Sequence, residues 1–223
     1  MSTKLLAYHG DKKIKTKYLG RVRAHRKADQ LIQGYGYWED GRGCAVGCTI
    51  HSGNHAHYET EMGIPLVLAR LEDGIFERLP KELARQWPER FLSAIKPGAD
   101  LSLVWAKFAA WMLLDEKDGV IRFAKHEQTI ASIKCVGALY QRWAAGDKPA
   151  TTEWESARYL TGAARAAAAY AASAAAYAYA DAAAAAAYAA AAATYAADAA
   201  TAAARSKHYQ KMADKLIELL KAA

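Results

Sequence analysis

Residues 100–114, DLSLVWAKFAAWMLL, decide the fold class of this chain. Their apolar side chains recur at the spacing of a helix, and the β-branched alternation typical of a strand is missing. The residues expected to face the core are Leu103, Val104, Phe108, Trp111 and Leu114. Asp100 precedes the first turn, where its carboxylate can cap the helix. Helical spacing of the same kind recurs almost throughout the 223 residues, so the sequence predicts an all-α protein.

Further helices are predicted on both sides of this segment. Two precede it, over residues 65–79 and 80–95, and each has a proline in its first turn, where a missing N–H group does no harm. Pro88 is expected to bend or interrupt the second of these helices. Another helix follows and ends near Gly146, and Cys135 within it is interpreted as a thiol of the core.

A basic helix is predicted over residues 11–33, with Asp11 as its cap and Gly34 after its last residue. Up to residue 43 the chain has ten basic and four acidic residues, so six of the seven net positive charges lie there. A positive field of this kind attracts phosphates, whether on a nucleotide, a nucleic acid or a lipid surface. Arg21 and Arg23 are candidates to contact such an anion, although they also fit the solvated face of an amphipathic helix.

Residues 163–205 are overwhelmingly alanine, the strongest helix former. Five of the six tyrosines in and just before this tract are separated by steps of 11 and 7 residues, which places them in one stripe of an unbroken helix; they are Tyr159, Tyr170, Tyr177, Tyr188 and Tyr195. A single helix over the C-terminal third would be roughly 100 Å long, far beyond a domain of this size. A reversal near Asp181 or Asp198, or pairing of the tract between two chains, is therefore expected.

The predicted architecture is a multi-helix bundle with a long alanine-rich helix, or an antiparallel helical hairpin, at the C-terminal end. Residues 1–150 would form a helical domain that carries the site. Residues 151–223 would pack on this domain or on a second subunit, which would make the protein a homodimer. An apolar stripe in the last segment is expected to dock on the main core, and its members are Met212, Leu216, Leu219 and Leu220.

Residues 34–59, GYGYWEDGRGCAVGCTIHSGNHAHYE, concentrate the chemically distinctive side chains. Glycine lets the backbone approach a ligand closely, and the tyrosines and tryptophan offer faces for stacking on a ring. A helix predicted to begin after Gly43 would direct free N–H groups toward this loop, as in anion sites at helix N-termini. The segment therefore predicts an anion-receptive pocket. Its candidate ligand-binding residues are Tyr35, Tyr37, Trp38, Arg42, Gly43, Cys44, His51, Arg21 and Arg23.

The cysteines and histidines of this segment also invite comparison with a metal site. On a continuous helix, one face would carry Cys44, Cys48, His51 and His55. These four residues would span roughly 16 Å at about 1.5 Å per residue, which is too far for one tetrahedral ion. No metal and no cofactor is therefore expected, and buried reduced thiols are the simpler interpretation of three cysteines in a chain with no secretory signal.

Thiol catalysis is an alternative to ligand binding. A cysteine at a helix N-terminus has a lowered pKa, and a histidine oriented by a carboxylate can act as its base. The candidate catalytic residues are Cys44, Cys48, His51 and Glu59. The spacing selects no single histidine, so a cysteine/histidine-dependent hydrolase or transferase stays an alternative, as does a structural role in oligomerisation for the alanine tract.

The segments GRGCAVGCTIHSG, YETEMGIP and ARLEDGIFERLP, with an alanine-rich tail that ends in MADKLIELL, resemble a group of alanine-rich proteins from bacteria and their phages. That group has no assigned activity, so the resemblance identifies no catalytic residue. It implies a setting in the cytoplasm of a bacterial host. This setting agrees with the lack of a signal peptide or membrane-spanning pattern, and no membrane partner is expected.

Capture of a small phosphorylated or nucleotide-like ligand is the favoured function. The basic helix, the glycine–aromatic loop and the predicted helix N-terminus all fall in one short span of sequence. In a phage, such a protein would sequester a nucleotide signal of the host defence. Nucleic-acid binding is less favoured, because the basic residues occupy one helix without the interleaved aromatics that nucleic-acid-binding surfaces use.

Overall fold

The computed structural model describes residues 5–125, 127–160 and 202–223. Over these residues the chain is mostly helical, and its only sheet has two short antiparallel strands, so the all-α prediction is confirmed. None of the described helices is long and apolar enough to cross a membrane. The contacts divide the chain into a first unit, Met1–Ser102 with Ala213–Ala223, and a second unit, Leu103–Met212. The predicted boundary at residue 150 lies inside the second unit.

The first unit begins with a 3₁₀ turn, Ala7–Gly10, and continues through five helices and a small hairpin. The helices are α1 (Lys12–Lys27), α2 (Ala45–Ile50), α3 (His57–Met62), α4 (Leu66–Phe76) and α5 (Lys81–Ala94). The hairpin between α1 and α2 pairs β1 (Trp38–Glu39) with β2 (Arg42–Gly43). The core of this unit is apolar and aromatic, and its largest fully buried side chains include Tyr8, Tyr18, Tyr58, Phe76, Trp87 and Phe91.

Helix α1 begins as predicted and ends earlier than predicted. The Asp11 carboxylate accepts a hydrogen bond from the Lys13 N–H group at 2.7 Å, which confirms the cap. The helix ends at Lys27 instead of residue 33, because the following segment pairs with β2. The Ile32 N–H group donates to the Gly43 carbonyl at 3.0 Å, and the Gly43 N–H group donates to Gln30 at 3.1 Å. Gly34 is therefore not the residue that ends the helix.

Helix α2 is short and tightly covered. It ends at Ile50, and His51 adopts the left-handed conformation with φ of 55°. The face predicted to join Cys44 to His55 along one helix is therefore interrupted. The Tyr37 carbonyl oxygen lies against the start of α2, since a Cβ atom placed on Gly43 would be 2.1 Å from it and one on Gly47 only 1.2 Å from it. Glycine at both positions allows this close approach.

Helices α4 and α5 form where their prolines predict. Pro65 and Pro80 immediately precede the two helices. Helix α5 continues through Pro88, so the expected interruption is not seen. The fully buried Trp87 of α5 donates its Nε1–H group to the Glu72 carbonyl oxygen at 2.9 Å and ties α5 to α4.

The second unit contains α6 (Val104–Leu114), a 3₁₀ turn (Val120–Phe123), α7 (Glu127–Ala144), α8 (Thr151–Leu160) and most of α9 (Ala202–Ala222). Helix α6 is buried on nearly all sides, as expected for a helix that is apolar all round. It begins at Val104, and Asp100 instead accepts a hydrogen bond from the Ser102 N–H group at 3.0 Å in the preceding turn. Cys135 is half-buried, so it is less enclosed than predicted.

The end of the chain returns to the first unit through the last residues of α9. Leu216 and Leu220 are fully buried, and Arg90 on α5 forms an ion pair with Asp214 at 2.9 Å. The predictions for the alanine tract, including the tyrosine stripe, the reversal and the pairing of two chains, fall between residues 161 and 201, outside the described residues.

Candidate functional site

A cleft of about 620 Å³ opens in the first unit, next to the end of α1. Its walls come from the segment after α1, the hairpin, the end of α4 and the first turns of α5. The lining residues are Ala28, Asp29, Gln30, Leu31, Ile32, Gln33, Arg42, Phe76, Lys81, Ala84 and Arg85. This volume is typical of a small-molecule site, since such clefts measure roughly 300–1,000 Å³.

The charge of the cleft is mainly positive. Among its described lining residues, Arg42, Lys81 and Arg85 are cationic and Asp29 is the one anion. Arg85 Nη2 and Asp29 Oδ1 form an ion pair at 2.5 Å. Arg42 and Lys81 are exposed, and their side chains form no hydrogen bond or ion pair with the described residues. The arrangement can therefore receive an anion at two cations that have no partner among the described residues.

The floor of the cleft is held in place by the half-buried side-chain amide of Gln33. Gln33 Nε2 donates to the carbonyl oxygens of Phe76 at 2.6 Å and Leu79 at 2.9 Å. These bonds fix the segment after α1 against the end of α4. The apolar part of the lining, Leu31 and Phe76, is buried, so the cleft combines an apolar floor with a cationic rim. Binding sites for small phosphorylated molecules commonly combine these two features.

Of the residues predicted to bind a ligand, the structure brings only Arg42 to this cleft. Arg23 is engaged elsewhere, since its Nε–H group donates to Glu89 Oε1 at 2.8 Å. Tyr35 and Tyr37 are exposed on the loop before the hairpin. Gly43 is buried, and its N–H group bonds Gln30, so that group is not free for an anion.

Three other predicted residues, Trp38, His51 and Arg21, meet beside α1 in a second cluster that includes His25. The rings of Trp38 and His51 stack at 4.1 Å with an angle of 13° between their planes. His25 Nε2 and His51 Nε2 are 2.8 Å apart, and His25 Nδ1 is 2.6 Å from Gln30 Oε1. Because an amide oxygen only accepts, His25 Nδ1 donates to Gln30 Oε1, and one of the two facing Nε2 atoms of His25 and His51 donates to the other.

The electrostatics of this cluster favour neutral His51. Partial burial lowers its pKa from 6.5 to about 4, and the nearby Arg21 and His25 act in the same direction, while Glu61 acts against them. Arg21 is held close by its bond to the Thr49 carbonyl oxygen at 2.9 Å. The cluster is therefore a hydrogen-bonded contact between α1 and α2, and through Gln30 it supports one wall of the cleft.

Acidification should consequently weaken the fold through His51. The unfolded chain binds the proton near pH 6.5 and the folded chain near pH 4, so this contribution to stability is present above pH 6.5 and is lost as the pH falls toward 4. His51 is only partly shielded and solvent screens its interactions, so the expected loss is on the order of 1 kcal/mol. Urea unfolding gives the loss of unfolding free energy between pH 7 and pH 4 for the wild type and for His51→Asn. The loss in the wild type minus the loss in His51→Asn is the contribution of His51. Asparagine tolerates the left-handed backbone of this position.

His9→Asn is the control for this measurement, because His9 is also exposed and left-handed, with φ of 50°. It reports the cost of replacing a left-handed histidine by asparagine. Equal pH profiles for the wild type and His51→Asn would show that protonation of His51 does not oppose folding.

The candidate catalytic residues do not form a nucleophile with its base. Cys44 and Cys48 are buried, and burial raises the pKa of the Cys48 thiol to about 12. Burial, and then the charge of Asp73, also raises the pKa of Cys44. The Glu59 carboxylate accepts from the Leu66 N–H group at 2.9 Å, at the start of α4. Both thiols are therefore protonated at neutral pH in this conformation, which is the opposite of activation.

The residues that sequence reasoning missed come from distant parts of the chain. Lys81 and Arg85 lie on α5 about forty residues after Arg42, and Asp29 lies in the turn after α1. Their signal in the sequence is the spacing of four between Lys81 and Arg85 after Pro80, which places both cations on one helix face. His25 was missed because it stands among basic residues of a helix that was interpreted as a solvated face.

No metal cluster accompanies these groups: within the part of the chain that the structure describes, no three His, Cys, Asp or Glu side chains are placed to hold an ion. No family model matches the chain, and no curated protein or solved structure matches it significantly. The resemblance to bacterial and phage proteins stays a prediction. A function is therefore inferred from the geometry and charge of the cleft.

Proposed function

We propose that this protein binds a small phosphorylated molecule in the cleft between the end of α1, the hairpin and α5. The observation that carries the proposal is the convergence of Arg42, Lys81 and Arg85 on one cleft of ligand size. A guanidinium group offers paired N–H donors that match phosphate oxygens, and an ammonium group adds a compact charge. The apolar floor would contact the uncharged part of the ligand.

The finer prediction, a nucleotide-like ligand, is supported by the size of the cleft and by Phe76, the aromatic residue in its lining. The exposed Tyr35 and Tyr37 supply aromatic surface on the neighbouring loop. If the chain acts in a phage-infected bacterium, as the resemblance implies, binding without chemistry would sequester a nucleotide signal. The buried, protonated state of the cysteines favours this binding function over thiol catalysis.

Neutralising Arg42 or Lys81, which have no partner among the described residues, should weaken binding. We expect Arg42→Ala and Lys81→Ala each to weaken binding of inorganic pyrophosphate or ADP about tenfold or more, because a hydrogen bond to a charged group contributes about 1.5–3 kcal/mol. Isothermal titration calorimetry at constant low ionic strength measures the dissociation constants.

Lys12→Ala is the matched control, because it removes the same charge from an exposed position at the other end of α1. The control should bind within about twofold of the wild type, since exposed charges away from the cleft are screened. Wild-type protein that binds no pyrophosphate and none of a panel of nucleotides and sugar phosphates would refute the proposed function. Equal losses in all three variants would instead place the binding outside the cleft.

A further inference from the structure

Among the described residues that line the cleft, Asp29 carries the one charge that opposes an anionic ligand. It stands in the rim between the end of α1 and α5 and pairs with Arg85 at 2.5 Å. The Asp29 side chain is 73% exposed and that of Arg85 is 33% exposed, so the carboxylate contacts the guanidinium group from the solvent side. A ligand entering the cleft from solvent meets this ion pair.

The end of α1 holds the Asp29 backbone at this position. Helix α1 ends with the Ala28 N–H group bonded to the Ala24 carbonyl at 3.0 Å and the Gln30 N–H group bonded to the His25 carbonyl at 3.0 Å. Between them Asp29 takes the left-handed conformation, with φ of 59°. This conformation is uncommon for a residue other than glycine, and aspartate and asparagine accept it best. The helix end therefore fixes the Asp29 backbone while its exposed side chain is free to rotate into water.

We propose that Asp29 is an internal competitor for the ligand, so that its carboxylate occupies Arg85 in the empty cleft and is displaced when a phosphate group binds. This inference rests on the proposed function and adds a control of affinity within the same site. An exposed ion pair of this kind contributes about 0.2–1 kcal/mol, so the competition is weak enough to be reversed by a ligand. A phosphate group carries more charge than the single negative charge of a carboxylate, which favours the exchange.

Asp29→Asn is the direct test, because asparagine keeps the shape and the left-handed backbone and removes the charge. We expect this variant to bind pyrophosphate about two- to fivefold more tightly than the wild type in calorimetry at low ionic strength. In an Arg85→Ala background, Asp29→Asn should give a markedly smaller gain, because the guanidinium group for which ligand and carboxylate compete is gone.

Asp40→Asn is the matched control for the charge itself. Asp40 is exposed, follows β1, and is also left-handed with φ of 49°, but it does not line the cleft. A gain in Asp29→Asn that exceeds the gain in Asp40→Asn and depends on Arg85 supports the inference. Equal gains in both variants would overturn the inference, and so would unchanged or weaker binding in Asp29→Asn. In either case, pyrophosphate binding by the wild type would still support the proposed function. If neither the wild type nor Asp29→Asn binds pyrophosphate or any of the panel of phosphorylated compounds, the proposed function fails, and the inference fails with it.

Discussion

Replacing Gly47 by alanine is expected to destabilise the protein by about 3 kcal/mol or more, although alanine is the better helix former. The cause is the Tyr37 carbonyl oxygen, which would lie 1.2 Å from the new methyl group. That distance is shorter than any non-bonded contact, so either α2 or the loop before the hairpin must move. Gly47 and Cys48 are buried, so a shift at this position must displace packed neighbours. Urea unfolding followed by circular dichroism measures the loss.

Gly20→Ala provides the matched control. Gly20 is an exposed residue of α1, and a Cβ atom built on it meets nothing within 4 Å. Alanine there should stabilise the protein by about 0.5–1 kcal/mol, since it reduces the entropy of the unfolded chain. The two substitutions are chemically identical and are expected to have opposite signs. If Gly47→Ala were as stable as the wild type, the close packing of the loop on α2 would be wrong.

The contact at Gly47 also matters for the cleft. The loop that covers α2 continues into the hairpin, where Arg42 stands next to Gly43 on β2. Gly43 is bonded through its N–H group to Gln30 and through its carbonyl oxygen to Ile32, two residues of the cleft wall. A shift of the loop would therefore move Arg42 relative to Lys81 and Arg85. Gly47→Ala is expected to weaken phosphate binding as well as the fold.

The starts of α1, α4 and α5 could be predicted from the sequence because local chemistry determines them. A side chain that caps a helix, such as Asp11, or a proline in the first turn, such as Pro65 or Pro80, acts within a few residues. The end of α1 could not be predicted in the same way. There the pairing of the next segment with β2 outweighs the helix propensity of that segment, and a long-range contact leaves no local signal.

Only part of the candidate site could be predicted, again because long-range packing leaves no local signal in the sequence. Arg42 stood out because glycines flank it and aromatics precede it. Lys81 and Arg85 look like the ordinary solvated face of a helix, and only the packing of α5 beside the end of α1 turns that face into a cleft wall. The predicted anion site at α2 failed to form because the Tyr37 carbonyl oxygen and the Cys44 side chain occupy the start of that helix. Which faces oppose each other is a tertiary property, and periodicity alone does not encode it.

Glu72 is the residue whose replacement is expected to stabilise the protein most. It is fully buried on α4, within the apolar stripe that contains Leu68 and Ile75. A charged residue inside an apolar stripe is the feature of the sequence that indicates this buried carboxyl group. The Tyr58 hydroxyl donates to Glu72 Oε2 at 2.6 Å, while Oε1 is buried without a hydrogen-bond partner among the described residues. Burial raises the pKa of Glu72 well above 4.5, the Tyr58 bond opposes this, and the Asp73 charge adds to it.

A raised carboxyl pKa makes the folded chain bind a proton that the unfolded chain releases. The contribution of Glu72 to stability is therefore fully present below pH 4.5 and is lost as the pH rises toward the folded pKa. At pH 7 the unfolded carboxyl group is ionised, so part or all of this contribution is lost there. Glutamine resembles the neutral acid and can still accept the Tyr58 bond. We expect Glu72→Gln to be more stable than the wild type at pH 7, by on the order of 1 kcal/mol or more, and nearly equal to it at pH 4.

Unfolding by urea at both pH values separates this effect from a simple change of packing. A packing change would shift the stability equally at pH 4 and pH 7, whereas removal of the titrating carboxyl group shifts it only at the higher pH. Glu82→Gln, at an exposed position on α5, is the control and should change stability by less than about 0.5 kcal/mol. A variant that is less stable than the wild type at pH 7 would mean that Glu72 is charged and stabilising in the folded protein. The sign of the difference at pH 7 therefore decides which protonation state the core contains.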